Sequence, residues 1–272
     1  MWALLPNIRL DRTMLIALLI LSNLLLLIAL LWLGKNYLRQ RDRRRGRKSI
    51  GSNPIPLVEP GAIDPRFALS RAQAPSLDSE VRFIGAGGTL GGTTDTEAWL
   101  LAGFAKSARQ IFELGTCTGK TTYLFAANAP NEAEIVTIPL PPDGNAAGNR
   151  AAGDDMAALE TAQKESQVSE FYYANTPEGR KITQLFGDSK EFDHEPYRGR
   201  FDLIFIDGGH AASYVRSDSE KALAMLAPGG LLLWHDYTPS MTGVWDTLNA
   251  LHQSGVPLQH IRNTTLVAHR AI

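Results

Sequence analysis

Four short stretches of this 272-residue chain carry the residue types that do chemistry. They are "ELGTCTGKTT" at 113–122, Gly187-Asp188-Ser189, Asp207-Gly208-Gly209-His210 and His235-Asp236-Tyr237. In the first, Gly115, Gly119, Lys120 and Thr121 come close to a phosphate-cradling P-loop, which needs four residues between its glycines. Only Thr116, Cys117 and Thr118 stand there. The shorter loop curves differently, so the competing reading is a glycine-rich turn from strand into helix that holds another adenosine-containing ligand. A P-loop also needs a magnesium-binding acid after a later strand, a part that Asp207 would imitate. Cys117 is the only cysteine, which excludes an intramolecular disulfide and fits a reducing compartment.

The elements that must position these stretches alternate along residues 81–272. "TEAWLLAGFAKSA" has helical spacing and leads into a strand, "RQIFEL". A helix over about Lys120–Asn128 follows the glycine loop. "EIVTI", "KITQLF" and "FDLIFI" read as further strands, "SEKALAMLA" as a helix stopped by Pro228, Gly229 and Gly230, and "LLLWH" as the fifth strand. A helix near Val244–His252 and a strand around Thr265–Ala268 close the series. Apolar strands alternating with helices predict an α/β domain with a mostly parallel sheet covered on both faces. The four stretches then fall at strand ends, where ligands of such sheets bind.

The N-terminal part has a different character. Residues 1–48 hold ten Lys/Arg against Asp11 and Asp42, a net of +8, which leaves −9 for residues 49–272 because the whole chain carries −1. An acidic globular part argues against nucleic acid as a partner. Met14–Leu33 is a run of twenty uncharged residues, enough for a helix to cross a bilayer. Trp32 and Tyr37 suit one aromatic belt and Trp2 the other, while Ser22 and Asn23 are polar groups that could meet a partner helix. A cleaved signal peptide is the competing reading, but the apolar run is too long and no small-residue cleavage site follows. Eight basic residues in "KNYLRQRDRRRGRK" follow the span and two precede it, which predicts a single-pass anchor with the C-terminal bulk in the cytoplasm and a basic run against anionic lipid. Residues 34–80 continue as this basic run and then, with Pro54, Pro56, Pro60, Pro65 and Pro75, as an extended tether.

"FDLIFIDGGH", "LAPGGLLLWHDY" and "GDS", in this order and spacing, resemble the class I S-adenosylmethionine-dependent methyltransferases. The likeness is to the branch that contains metal-assisted O-methyltransferases and cephalosporin-hydroxylase-like proteins, and it covers roughly residues 81–270. It implies a Rossmann-like seven-stranded sheet. It places Glu113, Gly115, Thr116 and Gly119 at the methionine part of the cofactor, Asp188 and Ser189 at its adenine ring, and Asp207 at a ligand contact. It makes His210 the general base, a task suited to a group with a pKa near ~6.5. Asp207 and Asp236 become a carboxylate pair that could hold Mg²⁺ and a substrate diol.

The sequence departs from the family after the second strand. An acid there usually holds the ribose hydroxyls, and Pro139 stands in its place, with Asp143 the nearest substitute. A degenerate, membrane-tethered binding or scaffold protein is therefore the alternative to an enzyme. The acceptor classes left open are a sugar or polyketide hydroxyl, a catechol-like diol and a lipid-linked glycan. The segment Pro139–Arg180, with an exposed helix in "DDMAALETAQKE", is either a lid or a surface insertion.

Overall fold

The structure, a computed structural model, describes residues 11–45, 55–87, 92–141 and 150–272. Trp2, Arg9, Arg47, Lys48, Pro54 and Asp143 lie outside the described residues. The chain divides into two units, Met1–Asp42 and Arg43–Ile272. Helix α1 runs over Arg12–Arg45. Its stretch Arg12–Leu38, 27 residues with mean hydropathy 2.9, is long and apolar enough to cross a membrane. Ser22 Oγ and Asn23 Nδ2 both donate to the Leu19 carbonyl, at 3.0 and 2.8 Å, so these two polar groups are satisfied within the helix itself.

The second unit is an α/β domain. Its strands are β1 (Leu57–Val58), β2 (Gln110–Leu114), β3 (Glu134–Ile138), β4 (Ile182–Gln184), β5 (Phe201–Ile206), β6 (Leu226–Trp234), β7 (Gln259–Ile261) and β8 (Val267–Arg270). They form one eight-stranded sheet in the order β1-β7-β8-β6-β5-β2-β3-β4. Only the β6–β8 and β7–β8 pairs are antiparallel. The helices are α2 (Pro60–Ile63), α3 (Asp95–Ala105), α4 (Lys120–Asn128), α5 (Met156–Glu165), α6 (Ala212–Met225) and α7 (Thr242–Gln253).

Successive side chains of a strand point to opposite faces, and here both faces are apolar. Ile111, Ile135, Leu203, Phe205, Leu231 and Leu233 pack with Leu101 and Phe104 of α3 and Phe125 of α4. The intervening Phe112, Leu114, Val136, Ile204, Ile206 and Trp234 pack with Val215 and Met225 of α6 and Leu248 of α7. That two-sided burial is why these strands read as continuous apolar runs rather than alternating ones.

The sheet has eight strands where the family pattern implies seven. The additional edge strand, β1, comes from the segment expected to be an extended tether. His260 N donates to the Pro56 carbonyl and Arg262 N to that of Val58, both at 2.8 Å. Ile55, Ile63 and Phe67 are buried with the domain core. The prolines suit this packing: one precedes an edge strand, and Pro60 and Pro65 open short helical turns, where a missing N–H costs nothing. Strand β7 was also not expected. Helix α6 begins at Ala212 and ends at Met225, so Pro228-Gly229-Gly230 falls in the irregular start of β6 rather than at a helix stop.

Phe67 is the anchor of the packed segment, edge-on to Trp99 at 4.9 Å and to Phe104 at 5.1 Å between ring centroids. Removing a buried aromatic ring costs ~3–5 kcal/mol. Phe67→Ala is therefore expected to lower the thermal midpoint of the domain by several degrees. A midpoint equal to that of the wild type would return residues 55–80 to the role of a tether.

Candidate functional site

The chain runs outward from β2 through β3 to β4, then returns to place β5 on the other side of β2. This reversal opens a crevice at the carboxyl ends of β2 and β5. A cleft lies there, walled by residues that include Gly115, Thr116, Asp188, Ser189, Asp207 and Tyr214. The sequence motifs of three strand ends thus meet in one place. His210 and Asp236 are not in the wall itself; they lie beside it, grouped with Asp207, with one ligating atom of each within 4.8 Å of the others. Among the described lining residues there is no Lys or Arg.

The glycine loop is shaped by its neighbours as much as by any ligand. Gly115 has φ +98°, and a Cβ there would lie 2.6 Å from Gly208 Cα and collide with the Asp207 carbonyl. Gly119, at φ +74°, faces Tyr173 and Phe171 rather than the cleft. Cys117 also has a positive φ, 44°. Burial pushes its thiol up to about 12, with Glu165 adding to the effect, so it stays protonated. Lys120 turns away from the cleft and donates to the Gly85 carbonyl at 3.0 Å.

Glu113 is not at the cleft either. Its carboxyl is buried beneath the loop, accepting hydrogen bonds from Thr122 of α4 and, at 2.6 Å, from Thr137 of β3. Thr116 joins the same chain through Thr137, 2.6 Å between hydroxyl oxygens. Burial raises the Glu113 carboxyl to about 8 against the two threonine bonds. The acid expected to face a cofactor instead ties two strands and a helix together. Asp188 lines the cleft, but it also caps the turn that follows: its Oδ1 accepts from Lys190 N at 2.9 Å and its Oδ2 from the Tyr214 hydroxyl at 2.8 Å.

The carboxylates at the ends of β5 and β6 are paired with imidazoles. His235 Nδ1 lies 2.8 Å from Asp207 Oδ1 and 3.7 Å from Asp236 Oδ2, and its Nε2 lies 3.4 Å from Glu97 Oε2. His210 Nε2 lies 3.2 Å from Asp236 Oδ2. Burial alone would lower the His235 pKa, but Asp207 and Asp236 lift it well above its ordinary value. Glu97 is buried on α3 and would be raised by that burial; His235, Thr265 and Thr94 reverse this and hold it far below the usual carboxylate range. The same contest raises His210: burial opposes its charge, and Asp236, Asp207 and Glu165 outweigh burial.

This arrangement bears on the expected metal. Asp207, His210 and Asp236 converge as ligands of a cation would. Yet His235 Nδ1 sits 2.8 Å from one would-be ligand oxygen, and His210 Nε2 lies 3.2 Å from an oxygen of the second carboxylate. A hard divalent ion seeks several free oxygens, and here each carboxylate has an imidazole beside it. With imidazoles beside both carboxylates, the donor set is a poorer one for Mg²⁺ than carboxylates alone.

Residues absent from the sequence reading also belong here. Helix α5 roofs the cleft, with Leu159, Ala162, Glu165 and Ser166 in its wall. Asp218 of α6 is fully buried at the cleft's edge, and burial raises it to about 7. Its place one turn after Tyr214, in the buried stripe of α6, was a readable signal; Glu165 had none.

Residues 112–237 match a family model described as a methyltransferase domain, a span from β2 to the end of β6. No curated protein sequence matches the chain. Among solved structures the chain is similar to the O-methyltransferase TomG of Streptomyces achromogenes, involved in tomaymycin synthesis and solved with SAM. That likeness has 16% identity over 66% of this chain and 81% of that one, at TM-score 0.45. It is similar to SAH-bound methyltransferase PaMTH1 of Podospora anserina, with 16% identity, 67% and 80% coverage and TM-score 0.46. The Bacillus cereus O-methyltransferase in complex with SAH gives 16% identity, 67% and 84% coverage and TM-score 0.42.

The buried Glu113 gives a test of the site's framework. Between pH 4.5 and 8 the folded state holds this proton and the unfolded state does not, so stability falls as pH rises through that window. Glu113→Gln, which cannot ionise, should flatten the fall, measured as the thermal midpoint at pH 6 and at pH 9. A variant whose midpoint drops as steeply as that of the wild type would mean the carboxylate is stabilised in the fold.

Proposed function

We propose, from the match of residues 112–237 to a methyltransferase-domain model, that the chain carries a class I methyltransferase domain and transfers a methyl group from S-adenosylmethionine to a hydroxyl of a small molecule or glycan. The observation that carries the reading is the cleft at the β2/β5 divide, with His210 and Asp236 paired beside it. Its lining suits the cofactor: Ile138, Pro139 and Leu140 give an apolar wall near Asp188 and Ser189 for an adenine ring, and Gly115, Thr116 and Asp207 give a polar end for the methionine part. Bound there, the cofactor supplies an electrophilic methyl group.

The chain's own residues supply orientation and the proton acceptor. Asp236 Oδ2 lies 3.2 Å from His210 Nε2, an ion-pair distance, and in this reading Nδ1 takes the hydroxyl proton as the oxygen attacks. The paired carboxylate then stabilises the imidazolium that forms. Asp207, itself fixed by His235, keeps the loop between β5 and α6 in place. Holding the reactants in line is the larger contribution, because proximity offsets most of the entropic cost of the encounter.

His210→Ala should leave cofactor affinity nearly unchanged and lower turnover by ~10²–10⁴-fold. The wild-type rate should climb with pH through a pKa above 6.5, because the neutral ring is the base and its pKa is raised. Asp236→Asn should move that limb to lower pH, and EDTA should leave the rate as it is. Full activity in His210→Ala at unchanged pH dependence would remove the histidine from the mechanism.

We also place the domain at a membrane, on the cytoplasmic side. The support is the apolar Arg12–Leu38 stretch and the basic residues that follow it. A reporter fused after Ile272 should behave as cytoplasmic in a bacterial topology assay; a periplasmic signal would reverse the orientation and separate the domain from its methyl donor.

A further inference from the structure

We propose that Glu165, on the helix that roofs the cleft, is the carboxylate that receives the ammonium group of the cofactor's methionine part. The proposal rests on the reading that S-adenosylmethionine binds in this cleft. Three observations lead to it.

The first is that the obvious acid is spent. Glu113 occupies the motif position for such a contact, but Thr122 and Thr137 hold its carboxyl below the loop, out of the cleft. Asp207 is at the cleft, but His235 holds one of its oxygens at 2.8 Å. The methionine part brings a carboxylate, an ammonium and, next to the methyl group, a sulfonium. The ammonium needs an acceptor that is not already neutralised.

The second is that the roof is fixed at both ends, so Glu165 is presented rather than loose. On one side Asp154 accepts from Ser213 N at 3.0 Å and from the Ser213 hydroxyl at 2.6 Å, and Leu159 packs against Ala211 and Tyr214. On the other side Tyr172 N donates to the Thr118 carbonyl at 3.0 Å, which ties the following segment to the glycine loop. Asp155 caps the start of α5 through Ala157 N, and Glu165 is its last residue. The roof therefore spans from the start of α6 to the glycine loop.

The third is where the carboxylate stands and what it lacks. Glu165 lines the cleft and is half-buried. Its charge is felt at Cys117 of the glycine loop, and Asp207, His210 and Asp236 act on it in turn. That is the polar end of the cleft, not the apolar end at Pro139. No hydrogen bond or ion pair joins its carboxylate to another described side chain, and no Lys or Arg lines the cleft to compensate it. Burial and the nearby Asp207 raise its carboxyl to about 7 although His210 opposes them, and a ligand ammonium at this end of the cleft favours the charged form.

Calorimetry on the full chain in detergent, with three probes, tests this. S-adenosylmethionine and S-adenosylhomocysteine carry the ammonium; 5′-methylthioadenosine keeps the adenosine and the thioether but lacks the amino-acid part. Glu165→Gln should weaken the first two by about ten- to a hundredfold, the worth of a charged hydrogen bond, and leave the third unchanged. Glu165→Asp, which keeps the charge on a shorter arm, should fall between. Equal losses for all three probes would overturn the proposal in favour of a general role of the roof. Unchanged affinity with lowered turnover would also overturn it and move Glu165 to the acceptor. A wild-type chain that binds none of the three would overturn the cofactor reading itself, and with it this assignment, before any variant is compared.

Discussion

The site depends on one tight crossing, where β2 and β5 part at the centre of the sheet. Asp207 N donates to the Leu114 carbonyl at 2.8 Å, the last bond of the ladder, and the next residue, Gly115, presses against the Asp207 backbone. Two loops leave from this point with no room between them for a side chain. A left-handed φ at Gly115 satisfies the crossing at no steric cost, whereas any other residue would have to force the loops apart. The cleft is the space that opens once the loops diverge. Its position is therefore a consequence of strand order and backbone contact, and the polar residues on its walls inherit their places from that geometry.

Charge organises the site once the backbone has placed it. Glu97, His235 and Asp207 form a buried row from α3 through β6 to β5, and Asp236 and His210 lie alongside. Buried ions are expensive unless paired, and removing one partner of such a set typically costs ~3–5 kcal/mol. Glu97 shows how the cost is met. It accepts from Thr94 N at 2.9 Å and from Thr265 N at 2.6 Å, so the helix cap of α3 and the lead into β8 both hold it. Thr265 Oγ1 in turn accepts from Asp236 N at 3.3 Å, at a residue forced to φ 57°. Two elements remote in sequence thus fix the turn that carries Asp236.

The sequence displayed this design unevenly. The central strands were legible because burial on both faces leaves unbroken apolar runs such as "FDLIFI", and turn residues mark their ends. Strands β1 and β7 were not: two and three residues long, they carry too little pattern to register. The prolines around β1 suggested an extended linker, a reading correct for the local backbone and silent about what Phe67 packs against. At the site, Gly115, Asp188, Asp207, His210 and Asp236 were found through their motifs. Their partners were not. Whether Glu113 points into a cleft or beneath it depends on threonines nine and twenty-four residues away, and a pairing such as Glu97 with His235 joins positions no spacing rule connects.

The resemblance of the glycine loop to a phosphate cradle is settled by the same electrostatics. A phosphate site needs the lysine after the last glycine to reach the ligand, and Lys120 is instead buried and bonded to the Gly85 carbonyl. It also needs positive charge nearby, and the described wall of the cleft has no Lys or Arg but includes Glu165 and Asp188. Like charges about 4 Å apart repel by roughly 4 kcal/mol at the effective dielectric near a protein surface. A sulfonium-bearing ligand meets the reverse, for the carboxylates that exclude phosphate attract it. One residue fewer between the glycines changed the curve of the loop, but the sign of the charge around it decides what the loop can hold.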